Sequence, residues 1–269
     1  MVWTLDTQVA TCAQNGQVNK ILSGTIPNVV VEDLPGWRFI PLKLAPGEYY
    51  PRMARPRNTH VRESPGFHPA NAQYREVIET GRGQLVALRE QLERIFRTVH
   101  PVQKNFDAYG HDIRNLLILA ATEVEAHWKG ALTANGASGG STKDYVKLLP
   151  AMKLDEYAVR LPFYPSLTAV KPFESWSSGA PTKSLRWYDA YNAVKHDRET
   201  LFEQGTLFRT LEAVCACTVT LYAQFGMSGF SYREEINSYF ELDSVPKWDK
   251  TEVYASWKGV ADTPIMYRF

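Results

Sequence analysis

The stretch "TLFRTLEAVCACTVTLYAQF", residues 206 to 225, carries one base, Arg209, and one acid, Glu212, in twenty positions. Leu207, Leu211, Val214, Cys215, Thr218, Leu221, Tyr222 and Phe225 recur at spacings of three and four, so they form one stripe of an α-helix. Much of the opposite side is apolar as well. A helix that is apolar nearly all round belongs at the centre of a helical fold, with other helices packed about it. Its most apolar run, Leu211 to Phe225, is too short for a membrane span and contains Glu212, so no membrane partner is expected.

Working outward, the neighbours of this helix follow from the same periodicity. Between Asn71 and His100 there is no proline, and Val77, Ile78, Leu85, Leu88, Leu92, Ile95 and Phe96 predict a long amphipathic helix with a break near Gly81 and Gly83. After Pro101, the positions Ile113, Leu116, Leu117, Ala120, Val124 and Trp128 predict a second. "ANGASGGST" (134–142) ends it and offers Ser141 or Thr142 as the next N-cap. Helix resumes at Lys183 and is expected to continue past His196. The fold class read from these segments is mainly α: a four-to-five-helix bundle over residues 71–230, with irregular β-containing segments before it (1–70), within it (about 150–182) and after it (231–269).

Those additions have their own signals. "IPNVVVED" and "WRFIPLKL" are β-prone runs around the Pro35-Gly36 turn, and "SYFEL" and "EVYASW" are strand-like pieces of the C-terminal segment. The insert is rich in large aromatics, Tyr157, Phe163, Tyr164, Phe173 and Trp176, which suit either a stacking surface for bases or a small lid packed on the helices. In "PRMARPRNTHVR", Arg52, Arg55, Arg57 and Arg62 precede the first acid, Glu63; this is local charge for a phosphate backbone or a solvated loop.

Thirty basic residues balance 29 acidic ones, so any nucleic-acid binding must be local. The cysteines, Cys12, Cys215 and Cys217, form neither a redox C-x-x-C nor a zinc half-site, and the N-terminal residues lack the basic and apolar runs of a signal peptide. A reducing, cytoplasmic setting is the expectation. "GASGG" (136–140) spells G-x-S-x-G, but a helix precedes it where a nucleophile elbow needs a strand. The same loop lacks the glycine that should precede Lys143 in a P-loop. Glu123 and His127 share a helix face but supply only two metal ligands, so no metal and no cofactor is called for.

"AYNAVKHDRE" (190–199) holds the chemistry. Residues four apart on a helix lie about 40° apart in projection, so Asn192 and His196 share a face, with Asp189 alongside. Lys195 and Arg198 flank that face with positive charge. Histidine with cations suits metal-free RNA cleavage, in which the imidazole moves a proton and a cation stabilises the charged phosphorane. The same residues equally suit a set of polar ties to a neighbouring helix.

At these positions "YNAVKH" resembles the R-N-x-x-x-H signature of the HEPN superfamily of helical bundles, with tyrosine in the arginine's place. "SLRWYDAYNAVKHDR" and the helix after it resemble the last two core helices of that family. "RNLLILAATEVEAHW" resembles its acidic helix, which would bring Glu123 or Glu125 towards the motif. The resemblance implies a homodimer with facing motif helices, and RNA or nucleotide binding, often with RNA cleavage in defence or toxin systems. By position, His196 would be the general acid/base and Asn192 the orienting polar group, with Lys195 or Arg198 as phosphate contacts and Asp189 and Tyr191 as further candidates. Tyr191 is the departure: a neutral hydroxyl replaces a charged fork matched to phosphate. The alternative is a non-catalytic HEPN-like module that dimerises or binds a partner protein.

Overall fold

A computed structural model describes residues 3–5, 39–45, 47–58, 63–230, 234–255 and 262–269. The expected strand at 26–33, its Pro35-Gly36 turn, Cys12, Arg62 and the end of "EVYASW" lie outside them. The fold is mainly helical with small strands. Its core is built from four long helices: α1 (Arg75–Thr98), α2 (His111–Ala134), α3 (Arg186–His196) and α4 (Leu207–Phe225).

α4 begins where the Thr206 hydroxyl accepts a hydrogen bond from the Arg209 N–H, and ends at Gly226, whose φ of 63° suits glycine. Every residue from Ala213 to Phe225 is buried. Such complete burial leaves its polar side chains no water, and each finds a partner inside the fold. The Thr218 hydroxyl donates to Val214 O (3.3 Å), Thr220 donates to Ala216 O, Thr210 reaches Ile113 O (3.0 Å) on α2, and Cys217 Sγ lies 3.2 Å from Ala120 O. α2 makes the most extensive contact with α4, burying Leu116, Leu117, Ala120, Val124 and Trp128.

α1 is continuous through Gly81 and Gly83, where a break was expected. The reason is packing: a Cβ at Gly81 would lie 3.0 Å from Leu221 and 3.1 Å from His127, so glycine there lets α1 approach α4 and α2. α3 starts at Arg186 rather than Lys183 and stops at His196, because Asp197 (φ −135°, ψ 75°) leaves the helical region. Asp197 then caps a short turn of helix, Arg198–Leu201, by accepting from the Thr200 N–H at 3.1 Å.

The aromatic insert packs inwards. Trp176 stacks on Trp128 (centroids 4.8 Å apart), Phe173 and Tyr157 are buried, and Trp187 Nε1 donates to Pro172 O at 2.9 Å. Phe163 alone of the five insert aromatics stays exposed. The insert also pairs Ala158–Arg160 antiparallel with Glu241–Ser244 of the C-terminal segment.

The arginines of the N-terminal segment are neither a phosphate-facing patch nor a solvated loop in their described part. Arg55 is 1% exposed: it donates to Ala54 O (2.9 Å) and Ala151 O (2.8 Å), pairs with Glu252 (3.1 Å) and lies over the Trp248 ring. Arg52, in the left-handed region at φ 53°, donates through Nε to Gln224 Oε1 at 2.7 Å. That fixes the Gln224 amide, whose Nε2 serves His127 Nδ1 (3.1 Å) and Thr220 O (2.9 Å), and His127 Nε2 in turn lies 3.2 Å from Glu123. Burial holds the Arg52 guanidinium down at about 10 and the His68 imidazole down at about 4.

Glu252 receives both Lys43 and Arg55. Burial pushes its carboxyl up, but the bonds from Lys43 and Arg55 outweigh it and the group sits below its ordinary value. A depressed carboxyl contributes stability above its unfolded pKa that is lost as pH falls through the folded one. Arg55→Met is expected to cost about 3 kcal/mol in urea unfolding, since it removes one of the two cations at Glu252 and takes the Arg55 donors from Ala54 O and Ala151 O. Glu252→Gln is expected to flatten the loss of stability on acidification below about pH 4.5.

Candidate functional site

The motif helix α3 is amphipathic, and its buried face decides which motif residues remain available. Trp187, Tyr188, Ala190, Tyr191 and Val194 face the core, which leaves Asn192 half-buried and Lys195 and His196 exposed. Asn192 and His196 share one face, as their spacing requires. Among the described residues neither side chain has a hydrogen-bond or ionic partner. Asp189 does not join them, because Lys183 holds it at 3.0 Å.

Tyr191 is 1% exposed and lies in a hydrogen-bonded chain. Lys195 Nζ donates to the Tyr191 hydroxyl (2.7 Å) and sits 4.8 Å from the ring centroid; Tyr191 donates to Glu125 Oε2 (3.3 Å); Tyr188 donates to Glu125 Oε1. Glu125 on α2 thus accepts from two tyrosines of α3 and closes the helix pair. Burial first, and the bond to Glu125 second, push the Tyr188 hydroxyl far above its ordinary value, while the bond to Tyr191 raises the Lys195 ammonium. Of the two acidic-helix candidates, Glu125 reaches the motif. Glu123 turns to His127 instead.

One guanidinium near the motif escaped the sequence reading. Arg114, in the first turn of α2, donates through Nε (3.2 Å) and Nη2 (2.9 Å) to Val194 O, two residues before His196, and through Nη1 (3.2 Å) to Asn115. It satisfies a carbonyl that the end of α3 leaves open, and two of its five N–H groups have no acceptor among the described residues. Beside it the half-buried Phe202 ring contacts His111 (centroids 5.0 Å apart) and Tyr109 (5.9 Å), and Tyr109 is 54% exposed. Nothing in the spacing of "YGHDIRN" (109–115) advertises this, since the contact joins residues 80 positions apart. The Arg198 side chain lies outside the described residues, although its backbone starts the turn after Asp197.

The end of α3 therefore presents an imidazole, a carboxamide, a shared guanidinium and an exposed phenol. Among the described residues no three His, Cys, Asp or Glu side chains converge on a metal position, and no helix is long and apolar enough to cross a membrane.

No family model, curated protein or solved structure matches this chain.

The two halves of the motif should separate in stability measurements. Glu125→Leu is expected to cost about 2–3 kcal/mol by chemical denaturation, because two buried hydroxyls lose their acceptor. His196→Ala should fall within about 0.5 kcal/mol of wild type, because an exposed, unpartnered side chain is removed.

Proposed function

We propose that this chain is a HEPN-like protein that binds RNA or a nucleotide at the exposed end of α3. The observation that carries the reading is that Asn192 and His196 share one face and, among the described residues, have no partner, while the Arg114 guanidinium of α2 is tied to the Val194 carbonyl two residues before His196. Unpartnered polar groups beside a cation suit a phosphodiester, and Tyr109 and His111 supply rings for bases. In this reading His196 transfers a proton, Asn192 orients the substrate and Arg114 contacts phosphate, joined by Arg198.

Tyr191 and Lys195 drop out as phosphate contacts. The Tyr191 hydroxyl is buried between Glu125 and Lys195, and the Lys195 ammonium is turned towards it. With no guanidinium at the motif position, cleavage is expected to be weak; loss of one stabilising donor costs on the order of a hundredfold to a thousandfold in rate. The burial of Tyr191 also favours a second reading, in which the motif helix is a structural part of a non-catalytic homodimer or partner-binding module. Facing motif helices would then bury Asn192 and His196 at the interface.

Fluorescence anisotropy with labelled single-stranded RNA in EDTA, together with gel analysis of the same samples, distinguishes the two. Binding that weakens steeply with salt and with Asn192→Ala or His196→Ala supports the first reading, and slow cleavage lost in His196→Ala adds the catalytic step. A protein that fails to bind at low salt, yet has dimeric mass by light scattering that Asn192→Ala or His196→Ala abolishes, refutes the first and establishes the second.

A further inference from the structure

The opposite end of α3 opens on a separate cleft of about 560 Å³, within the size range of small-molecule sites. It lies between the insert, the first turn of α3 and the first turn of α4. Its charged lining resolves into pairs with one remainder. Lys171 pairs with Glu174 at 2.9 Å and Arg209 with Glu212 at 2.6 Å, while Arg186 makes no hydrogen bond or close ion pair among the described residues. Arg186 faces the largely buried Glu212 and acts on it electrostatically, so the cleft holds one positive charge in excess.

Two further donors lie beside that charge. α3 has no side-chain cap, and the Arg186 and Trp187 N–H groups, which belong to its first turn, have no acceptor among the described residues. A guanidinium fork and two adjacent backbone N–H groups can be spread over the three terminal oxygens of a phosphate monoester, which brings more negative charge to the excess cation than a carboxylate does. The apolar part of the lining includes Pro172 and the half-buried Phe208, whose ring stacks on Phe106 with centroids 4.7 Å apart and has the Arg209 guanidinium 5.9 Å from its centroid. These surfaces suit a flat ring.

We infer that this cleft binds a phosphate monoester carried on a planar aromatic body, with Arg186 as the principal phosphate contact. The site shares no residue with the exposed end of α3, so it stands or falls independently of RNA binding there. In the bound state Arg186 and the two N–H groups hold the phosphate, Arg209 remains shared with Glu212, and the ring lies along Phe208.

Isothermal titration calorimetry of the full chain with phenyl phosphate, inorganic phosphate and phenol tests it. Saturable one-to-one binding of phenyl phosphate is expected, with inorganic phosphate weaker and phenol weaker still. Arg186→Gln is expected to lower phenyl phosphate affinity by about tenfold or more at an unchanged thermal midpoint, and Arg186→Lys, which keeps charge but loses the fork, to fall between. Glu212→Gln, which removes the competing carboxylate from Arg209, is expected to tighten it. The inference is overturned if phenyl phosphate does not saturate at millimolar concentration, if phenol binds as well as phenyl phosphate, or if folded Arg186→Gln and Arg186→Lys both keep wild-type affinity.

Discussion

The fold is organised by one constraint: α4 is buried on every side from Ala213 to Phe225, so the surface and polar atoms of that stretch must be answered from within the protein. A helix buried in this way cannot be covered by one partner. α2 takes the largest part of it, α1 comes close only because Gly81 lacks a Cβ, and α3 covers the flank near its start. The remaining surface at its C-terminal end is closed by the N-terminal segment, where Ala54 N–H donates to Ala223 O at 2.9 Å and Arg52 completes Gln224. The β-containing additions are therefore integral to the core. Without the segment around Met53 and Arg55, the end of α4 would carry exposed apolar surface and a Gln224 amide oxygen without the donor that Arg52 supplies.

The same logic explains what the tyrosine of the motif does. Position 191 points into the α2–α3 interface, where a phenol supplies buried area and its hydroxyl reaches Glu125 and Lys195. An arginine there would present its charge to Glu125 and draw Lys195 away by repulsion. Tyrosine settles the balance towards cohesion of the helix pair, and in the proposed function the phosphate contact falls to Arg114 instead. Because Arg114 already holds Val194 O, its position is fixed by the end of α3 itself. Structure and candidate chemistry are coupled through that single carbonyl.

The helical core was legible because it depends on periodicity, which is local. Residues 206–225 declared a buried helix, and the stripes of α1 and α2 gave their inward faces, except that Val77 is exposed. Gly81 was misread because close approach of three helices leaves no trace in one strand of sequence. The arginines at 52 and 55 were misread for a related reason: a run of basic residues looks solvated unless Gln224, Ala151 and Glu252, far away along the chain, are known to receive them. Within the site, the shared face of Asn192 and His196 followed from helical geometry alone. The commitment of Asp189 to Lys183, of Lys195 to Tyr191, and the arrival of Arg114 are tertiary facts.

α3 finally shows why its two ends suit different ligands. Aligned peptide dipoles give a helix a partial positive charge at its N-terminus and a partial negative one at its C-terminus. An anion at the His196 end works against that dipole, so it needs cations such as Arg114 before a phosphodiester is held there at all. An anion at the Arg186 end is favoured by the dipole, by two open N–H groups and by the unmatched guanidinium together. The exposed end, open to a long polymer, gains affinity only by adding contacts along a strand. The enclosed end would gain it from one small group, so the two proposed sites lie about 15 Å apart along the axis of the helix that carries the motif.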